Sequence, residues 1–401
     1  MLKTVPILIL VISFVSCTSK SNYQHVDLII QNVKMFDGND VYANCTIIIH
    51  DGIIQEILKN QDTSFSGENV IDGKGLTAIP GLINAHVHID SINKGEEAVK
   101  SGVLTLLDMS RLTKAANPSI SELKKLSDSL SYLPYFYSAG NPITVPNGHG
   151  TQFLPYETIT NVDEVPEFIE NRVNEGSDFI KIMIERGGPR NRRPNVTDDM
   201  ILESIKLARS HNLMSVAHIS ERLNALKAAK MGINGLAHFW IEDFWYHDDP
   251  TIEGDTSSIS PKEMDILVNS GIFIIPTIIA WKELGDQFGP FEIESMKEEI
   301  GKVHAAGIPI LAGTDAPTFN INFGTDLHTE MIYLSECGIS DVNVLKTATS
   351  NISKAFSLGS KGFIKEGQPA DLLLIEGDPT EDISIIGNIV GIWKKGVKIN
   401  Q

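Results

Sequence analysis

LTAIPGLINAHVHID, residues 76–90, is an apolar run that closes on two histidines, His86 and His88. Residues i and i+2 of a strand share a face, so both imidazoles point the same way. The placement recurs. LMSVAH ends at His218, GLAH at His238 and IPILAGTD at Asp315, while DFIKIMIE carries Lys181. Neutral imidazoles and a carboxylate are ligands for zinc or a similar divalent ion. Gathered around a position open to water, they equip a site for metal-assisted hydrolysis.

Each residue also has a plainer reading. A lone histidine at a strand end is more often a satisfied core residue, and many H-x-H pairs bind nothing. Asp315 in GTDAP could serve as a turn or helix-capping residue. Recurrence on five segments decides for a cluster, because in a parallel barrel such strand ends meet at one face.

Lys181 sharpens the reading. Ile180, Ile182 and Ile184 alternate with Phe179, Lys181, Met183 and Glu185. With the isoleucines packed on outer helices, Lys181 faces the barrel interior, where an ammonium is costly and its pKa falls. A buried lysine paired with a carboxylate is the ordinary alternative. Beside four histidines and an aspartate, a neutral amine has another use, since it can take up carbon dioxide as a carbamate.

The chain has 401 residues, room for an α/β barrel and a smaller domain. Strand and helix patterns alternate from about residue 80 to about residue 355, as in βα units on a parallel sheet. Short β-rich pieces flank them: VDLIIQNVKMFDG and TIIIHDGIIQEILK in front, ADLLLIEGD and VGIWKKGVKI behind. No repeat or long linker interrupts the pattern. A formal net charge of −18 speaks against nucleic acid as a partner, since no basic patch large enough to hold a phosphate backbone appears.

Residues 1–17, MLKTVPILILVISFVSC, have a Lys-bearing start and an apolar stretch too short for a comfortable membrane span. Phe14-Val15-Ser16-Cys17 resembles a bacterial lipoprotein cleavage box, with Phe14 a departure that leaves an ordinary signal peptide as runner-up. The expectation is a lipoprotein signal peptide over 1–17 and a tether over 18–25. Export to the periplasm or outer membrane follows, with a lipid on Cys17 as the sole membrane contact. Of the remaining cysteines, Cys45 and Cys337, nothing requires a disulfide.

The stretches IPGLINAHVHID, NGHG, DFIKIMIERGG, VAH then GLAH, PILAGTDAP, LHTEM and the run from Leu345 to Pro379 resemble the amidohydrolase superfamily. The resemblance spans roughly residues 26–401 and is to its imidazolonepropionase-like and Xaa-Pro dipeptidase (prolidase)-like branch. It implies an α/β fold, a (β/α)8 TIM barrel over 81–355. A small composite β-sandwich domain would be built from 26–80 and 356–401. It also implies two divalent ions, zinc being the ion the donors suit. His86, His88 and Asp315 would hold one and His218 and His238 the other, with the Lys181 carbamate and a hydroxide bridging them. Lys181 favours the dipeptidase-like branch, because imidazolonepropionase itself looks like a one-metal enzyme without that lysine. Ser220 stands where members often carry a second histidine two residues after the strand-five ligand, which touches an accessory role only.

The expected activity is hydrolysis of an amide C–N bond, in a dipeptide or N-acyl amino acid, by attack of the metal-bridging hydroxide. Asp315 would accept the proton and pass it to the leaving amine. A cyclic amide hydrolase of the imidazolonepropionase type, or a phosphotriesterase or lactonase, are the alternatives. A lipoprotein that only binds a ligand is the reading from outside catalysis. For the substrate, the candidates are His149 in NGHG and Arg186 and Arg190 in the basic run 185–193, where guanidinium geometry suits a carboxylate. A turn histidine and solvated arginines are the plainer readings. Phe239, Trp240, Trp245 and Tyr246 could line an apolar pocket. Small-molecule substrate is the expected partner, and a homo-oligomer is left open.

Overall fold

The computed structural model describes residues 26–60, 64–66, 68–89, 91–112, 118–187, 192–240, 258–288 and 293–400. The expected signal peptide, Cys17 and the tether lie outside them, as do Arg190, Trp245 and Tyr246. Among the described residues no helix is long and apolar enough to cross a membrane.

Five strands open the chain: β1 (Leu28–Phe36), β2 (Val41–His50), β3 (Ile53–Lys59), β4 (Val70–Asp72) and β5 (Leu76–Pro80). Seven follow, alternating mostly with helices: β6 (Leu82–Val87), β7 (Val103–Asp108), β8 (Tyr135–Ser138), β9 (Phe179–Met183), β10 (Met214–His218), β11 (Gly235–Ala237) and β12 (Phe273–Ile275). After further helices come β13 (Leu372–Glu376), β14 (Ile389–Lys394) and β15 (Val397–Lys398).

Strands from both ends of the chain share one eight-stranded sheet, in the order β15-β14-β13-β5-β1-β2-β3 with β4 against β1. The seam is antiparallel pairing of β13 with β5, where Leu373 faces Ile79. Ile30, Val33, Met35, Cys45, Ile47, Ala78, Leu372, Leu374 and Trp393 form its core.

The middle of the chain makes two parallel sheets, β6-β7-β8 and β12-β11-β10-β9. Hydrogen bonds join them at both margins, giving a barrel-like α/β layout. On one side Asp178 N–H donates to Ser138 O and Ile143 N–H to Lys181 O. On the other, the stretch 310–316 lies between the sheets, with Leu311 N–H on Ile274 O and Ala85 N–H on Ala312 O. That stretch pairs through single bridges, Ile274 with Ile310 and Val87 with Ala316, instead of a continuous ladder.

Alternation along the strands sorts side chains into two layers. Ile180, Ile182, Ala217, Leu236, Ile274 and Ile310 pack with the helices. Ile83, Phe179, Val216, Ala237, Phe273, Ile275 and Leu311 form a second cluster on the opposite face. The helices start where the local chemistry tells them to. Ser119 with Glu122 and Ser260 with Glu263 make capping boxes, and Gly176, Gly232 and Gly271 end helices in the left-handed conformation. Cys45 and Cys337 are both buried and free, in different cores.

Lys394, at the end of β14, locks the terminal sheet to the barrel-like unit. Its amine is buried and donates to the carbonyls of Ser127 at 2.6 Å, Leu133 at 2.5 Å and Leu130 at 3.3 Å. Lys394→Met keeps the volume but removes the amine from the Ser127 and Leu133 carbonyls, while Leu130 O keeps the Leu133 N–H; the loss should cost roughly 1–3 kcal/mol. Urea unfolding checks this, and wild-type stability would show that the carbonyls find other donors.

Candidate metal centre

The ends of the central strands converge on one cavity of about 1050 Å³, whose lining includes His88, Lys181, His218, His238 and Asp315. His86 lies fully buried directly behind, Nε2 3.1 Å from Asp315 Oδ1. The six residues expected from the sequence are therefore brought together.

Two local irregularities aim them. The pairing of β6 with β7 shifts register between Asn84 and Val87, so the side chains at the end of β6 do not continue the simple alternation begun at Ile83. Beyond β11 the device is different. Ala237 belongs to the inner cluster and Leu236 to the helix layer, so strict alternation would turn His238 toward the helices. A φ of +74° at His238 brings it back to the cavity. Such a conformation is unfavourable for a residue with a Cβ and persists where surrounding structure enforces it.

Three ligand-type atoms stand close together. His88 Nε2 is 3.0 Å and His86 Nε2 3.1 Å from Asp315 Oδ1, and the two nitrogens are 3.3 Å apart. A tetrahedral ion with bonds of about 2.0 Å has edges of roughly 3.3 Å, so this spacing fits a shared cation. His86, His238 and Asp315 also form a metal-competent group on their own. His218 stands next in line, its ring centroid 4.5 Å from that of His238. Neighbours fix the other face of two rings: His88 Nδ1 lies 2.7 Å from Ser110 Oγ, and His238 Nδ1 2.8 Å from Thr277 Oγ1. That leaves Nε2 of each for the cavity, the arrangement that orients ligating histidines.

Electrostatics keep the donors in binding form. Burial pushes His86 and His218 well below the usual imidazole range and His238 down to about 3. Burial raises the Asp315 carboxyl, but hydrogen bonds to His86 and His88 outweigh it and hold Asp315 well below the usual carboxylate range. Lys181 is buried to 1 % exposure, and its amine has no hydrogen-bond partner among the described residues. Burial brings it down to about 7, only partly opposed by the charge of Asp315. An unpartnered buried amine next to these ligands has the chemistry of a carbamate precursor.

The candidates for substrate contact divide. His149 lines the cavity and stacks on His218 at 4.1 Å between centroids. Burial, then the charge of Arg193, lowers it to about 4. Arg186 is not among the lining residues, and its Nε–H donates to Glu221 at 2.6 Å. Arg193 from the same run does line the cavity. Phe239 packs in the helix layer, stacked on Trp240, and neither lines the cavity. The apolar wall comes instead from Leu112, Phe153, Leu154, Trp281, Leu284 and Phe319. Ser220 donates to Glu185, a hydrogen bond in place of a further imidazole. Sequence reasoning passed over Ser110, Thr277 and Tyr156, whose hydroxyl is 2.7 Å from Ser110 Oγ. Ser110 and Thr277 follow strand ends, the one signal that could have found them, but hydroxyls are not ligand types.

The family model described as "Amidohydrolase family" matches residues 77–399. Among known proteins, the chain is 23% identical over 393 residues to the 5-methylthioadenosine/S-adenosylhomocysteine deaminase of Dictyoglomus turgidum, covering 87% of this chain and 84% of that one. A Xaa-Pro dipeptidase with methionine bound in its active site superposes with a TM-score of 0.76 at 22% identity, covering 93% of this chain and all of the other. A prolidase-like structure from Bifidobacterium longum gives 0.76 at 20% identity over 94% of this chain and 95% of that one. These structures share the fold.

Gly313 is where the stretch 310–316 presses closest on the site. A Cβ there would lie 2.6 Å from Ile275 Cγ2 and 2.8 Å from His86 Cβ. Gly313→Ala should therefore displace His86 and weaken divalent-ion affinity by roughly 10–100-fold, the usual effect of disturbing a ligand's support. Chelator competition measures it; unchanged affinity would show that His86 does not depend on this contact.

Proposed function

The chain belongs to the amidohydrolase family and is a hydrolase of carbon–nitrogen bonds, and on that footing we propose that its substrate is a dipeptide or N-acyl amino acid. The observation that carries this reading is the Lys181 amine, sealed without a partner among the described residues in a cavity lined by His88, His218, His238 and Asp315. As a free amine it is a buried polar group left unpaired, which is costly. Adding carbon dioxide, with loss of one proton, turns it into a carboxylate-like ligand. His86, His88 and Asp315 would then hold one divalent ion, zinc by donor type, and His218 and His238 a second, both sharing the Lys181 carbamate.

When bound, such ions acidify water and polarise the scissile carbonyl. The chain's own residues do the rest. Asp315, kept ionised by His86 and His88, takes up the proton of the attacking water and returns it to the departing nitrogen. Arg193 and His149 stand on the cavity wall where a substrate carboxylate can be met. Trp281, Leu284, Phe319 and Leu112 give an apolar side chain or acyl group a dry surface. The fold-level reading is that the two parallel sheets and the stretch 310–316 close an eight-stranded barrel, supported by hydrogen bonds at both margins. The terminal sheet would then curl about its core as the composite sandwich.

The deaminase from Dictyoglomus turgidum supports a second reading, release of ammonia from an aminopurine nucleoside. A panel of dipeptides, N-acyl amino acids, cyclic amides, lactones, phosphotriesters and 5-methylthioadenosine decides. Turnover of the first two classes alone carries the proposal, and turnover of the nucleoside alone replaces it.

Lys181→Ala should bind one fewer ion and lose activity, with both partly restored by short carboxylic acids such as acetate or propionate. Elemental analysis and rates check this. A fully active alanine variant with two ions would overturn the bridging role. For location, we take the chain to be exported and held at the bacterial periplasmic or outer-membrane surface by a lipid on Cys17. Cys17→Ser should lose palmitate label, and an unlabelled, soluble wild type would refute the anchor.

A further inference from the structure

LHTEM, residues 327–331, has no part in the site described so far, yet its glutamate occupies an unusual place. Glu330 is fully buried in the middle of the helix Thr325–Glu336. Its two oxygens accept from the backbone N–H of Ile278, at 3.0 Å, and of Ile279, at 2.9 Å. These amides open the helix Ile278–Phe288. Among the described residues no ion pair offsets the charge of Glu330, and burial pushes its carboxyl up to about 8 against the pull of the two amides.

That is a costly way to start a helix, because Thr277 already stands in the capping position. The Thr277 carbonyl accepts from Ala280 at 3.1 Å and Trp281 at 3.4 Å, the first bonds of that helix. A threonine there ordinarily turns its own hydroxyl onto the free amides. Here the hydroxyl is 2.8 Å from His238 Nδ1 instead. Thr277 also takes a left-handed φ of +51°, which a β-branched residue adopts only when held.

We propose that Glu330 is a positioning residue for His238: by capping the helix Ile278–Phe288 from outside, it releases the Thr277 hydroxyl to fix the imidazole. In this arrangement Nδ1–H donates to Thr277 Oγ1, 2.8 Å away, and the lone pair is left on Nε2 for the cavity. Glu330 touches neither ligand nor substrate. The order of dependence runs from Glu330 to the two amides, to Thr277, to His238. This rests on the reading of His238 as a ligand, but not on which bond the protein cleaves.

The test is made without substrate. ¹⁵N spectra of the His238 imidazole in chelator-treated protein report the tautomer, and chelator competition reports zinc affinity. Wild type should show a single species protonated at Nδ1. Glu330→Gln, which exchanges one acceptor oxygen for a donor facing an amide, should show mixed tautomers and affinity lowered roughly 10–100-fold. Thr277→Val should do the same, and Thr277→Ser should restore both. The double variant Glu330→Gln, Thr277→Val should be no worse than Thr277→Val alone, since both remove one chain of support. If Glu330→Gln does not fold, Glu330→Asp keeps the carboxyl group but cannot reach both amides, and the same shift is expected. Wild-type tautomer and affinity in a folded Glu330 variant, or losses that multiply in the double variant, would overturn the proposal. Failure of wild type to bind zinc would sink the functional reading, while the tautomer spectra still decide this one.

Discussion

One carboxylate oxygen organises this molecule. Asp315 Oδ1 lies within 3.1 Å of two imidazole nitrogens that are themselves 3.3 Å apart. In water such a group would scatter, because each atom prefers its own hydration. Here the backbone removes the choice. His88 N–H donates to Ala316 O, and Thr314 and Asp315 N–H donate to His86 O, so both elements are cross-linked at the point where their side chains meet. Asn84 adds to this by donating to Thr314 Oγ1 while its own oxygen accepts from Thr314 N–H. A pre-assembled donor set of this kind needs little reorganisation to receive a cation. The depressed pKa values of the surrounding imidazoles follow from the same closure, since a charged ring in so dry a place is strongly disfavoured.

Much of this was legible from residue types and period. The alternation around Lys181 placed its side chain opposite the isoleucines, and the two packing layers divide there as period two requires. Short β-rich pieces were visible at both ends of the chain, while their joining into one unit was implied by the family resemblance alone; β13 does pair with β5. What the sequence concealed was backbone exception. GLAH reads as an ordinary strand, and nothing in its composition marks His238 as left-handed. In the basic run, residue type pointed to Arg186 and Arg190 and passed over Arg193. The distinction between Arg186, engaged by Glu221, and Arg193, on the cavity wall, depends on a loop path that periodicity does not encode. The support groups were hidden for a third reason, since Ser110, Thr277 and Glu330 act through contacts made across the fold.

The supporting contacts share a pattern. Each ring whose outer nitrogen is held is held by a hydroxyl from the strand region beside it, Ser110 for His88 and Thr277 for His238. Asp108 works one step further out. It accepts from Ile89 N–H and from Ser138, fixing the turn that follows His88, and burial raises it to about 6. Buried carboxylates such as Asp108 and Glu330 thus serve the backbone around the site, leaving Asp315 as the one facing the cavity among these three.

The seam between β5 and β13 carries a consequence for how the chain is made. β5 is complete when residue 80 has been synthesised, but its antiparallel partner begins at Leu372. Until then one side of β5 presents unpaired amides and carbonyls, the kind of edge that recruits foreign strands. Contacts so distant in sequence also form slowly. The sheet can therefore be finished only after the residues from Leu372 onward are available, and until then β5 is an edge open to the wrong partner.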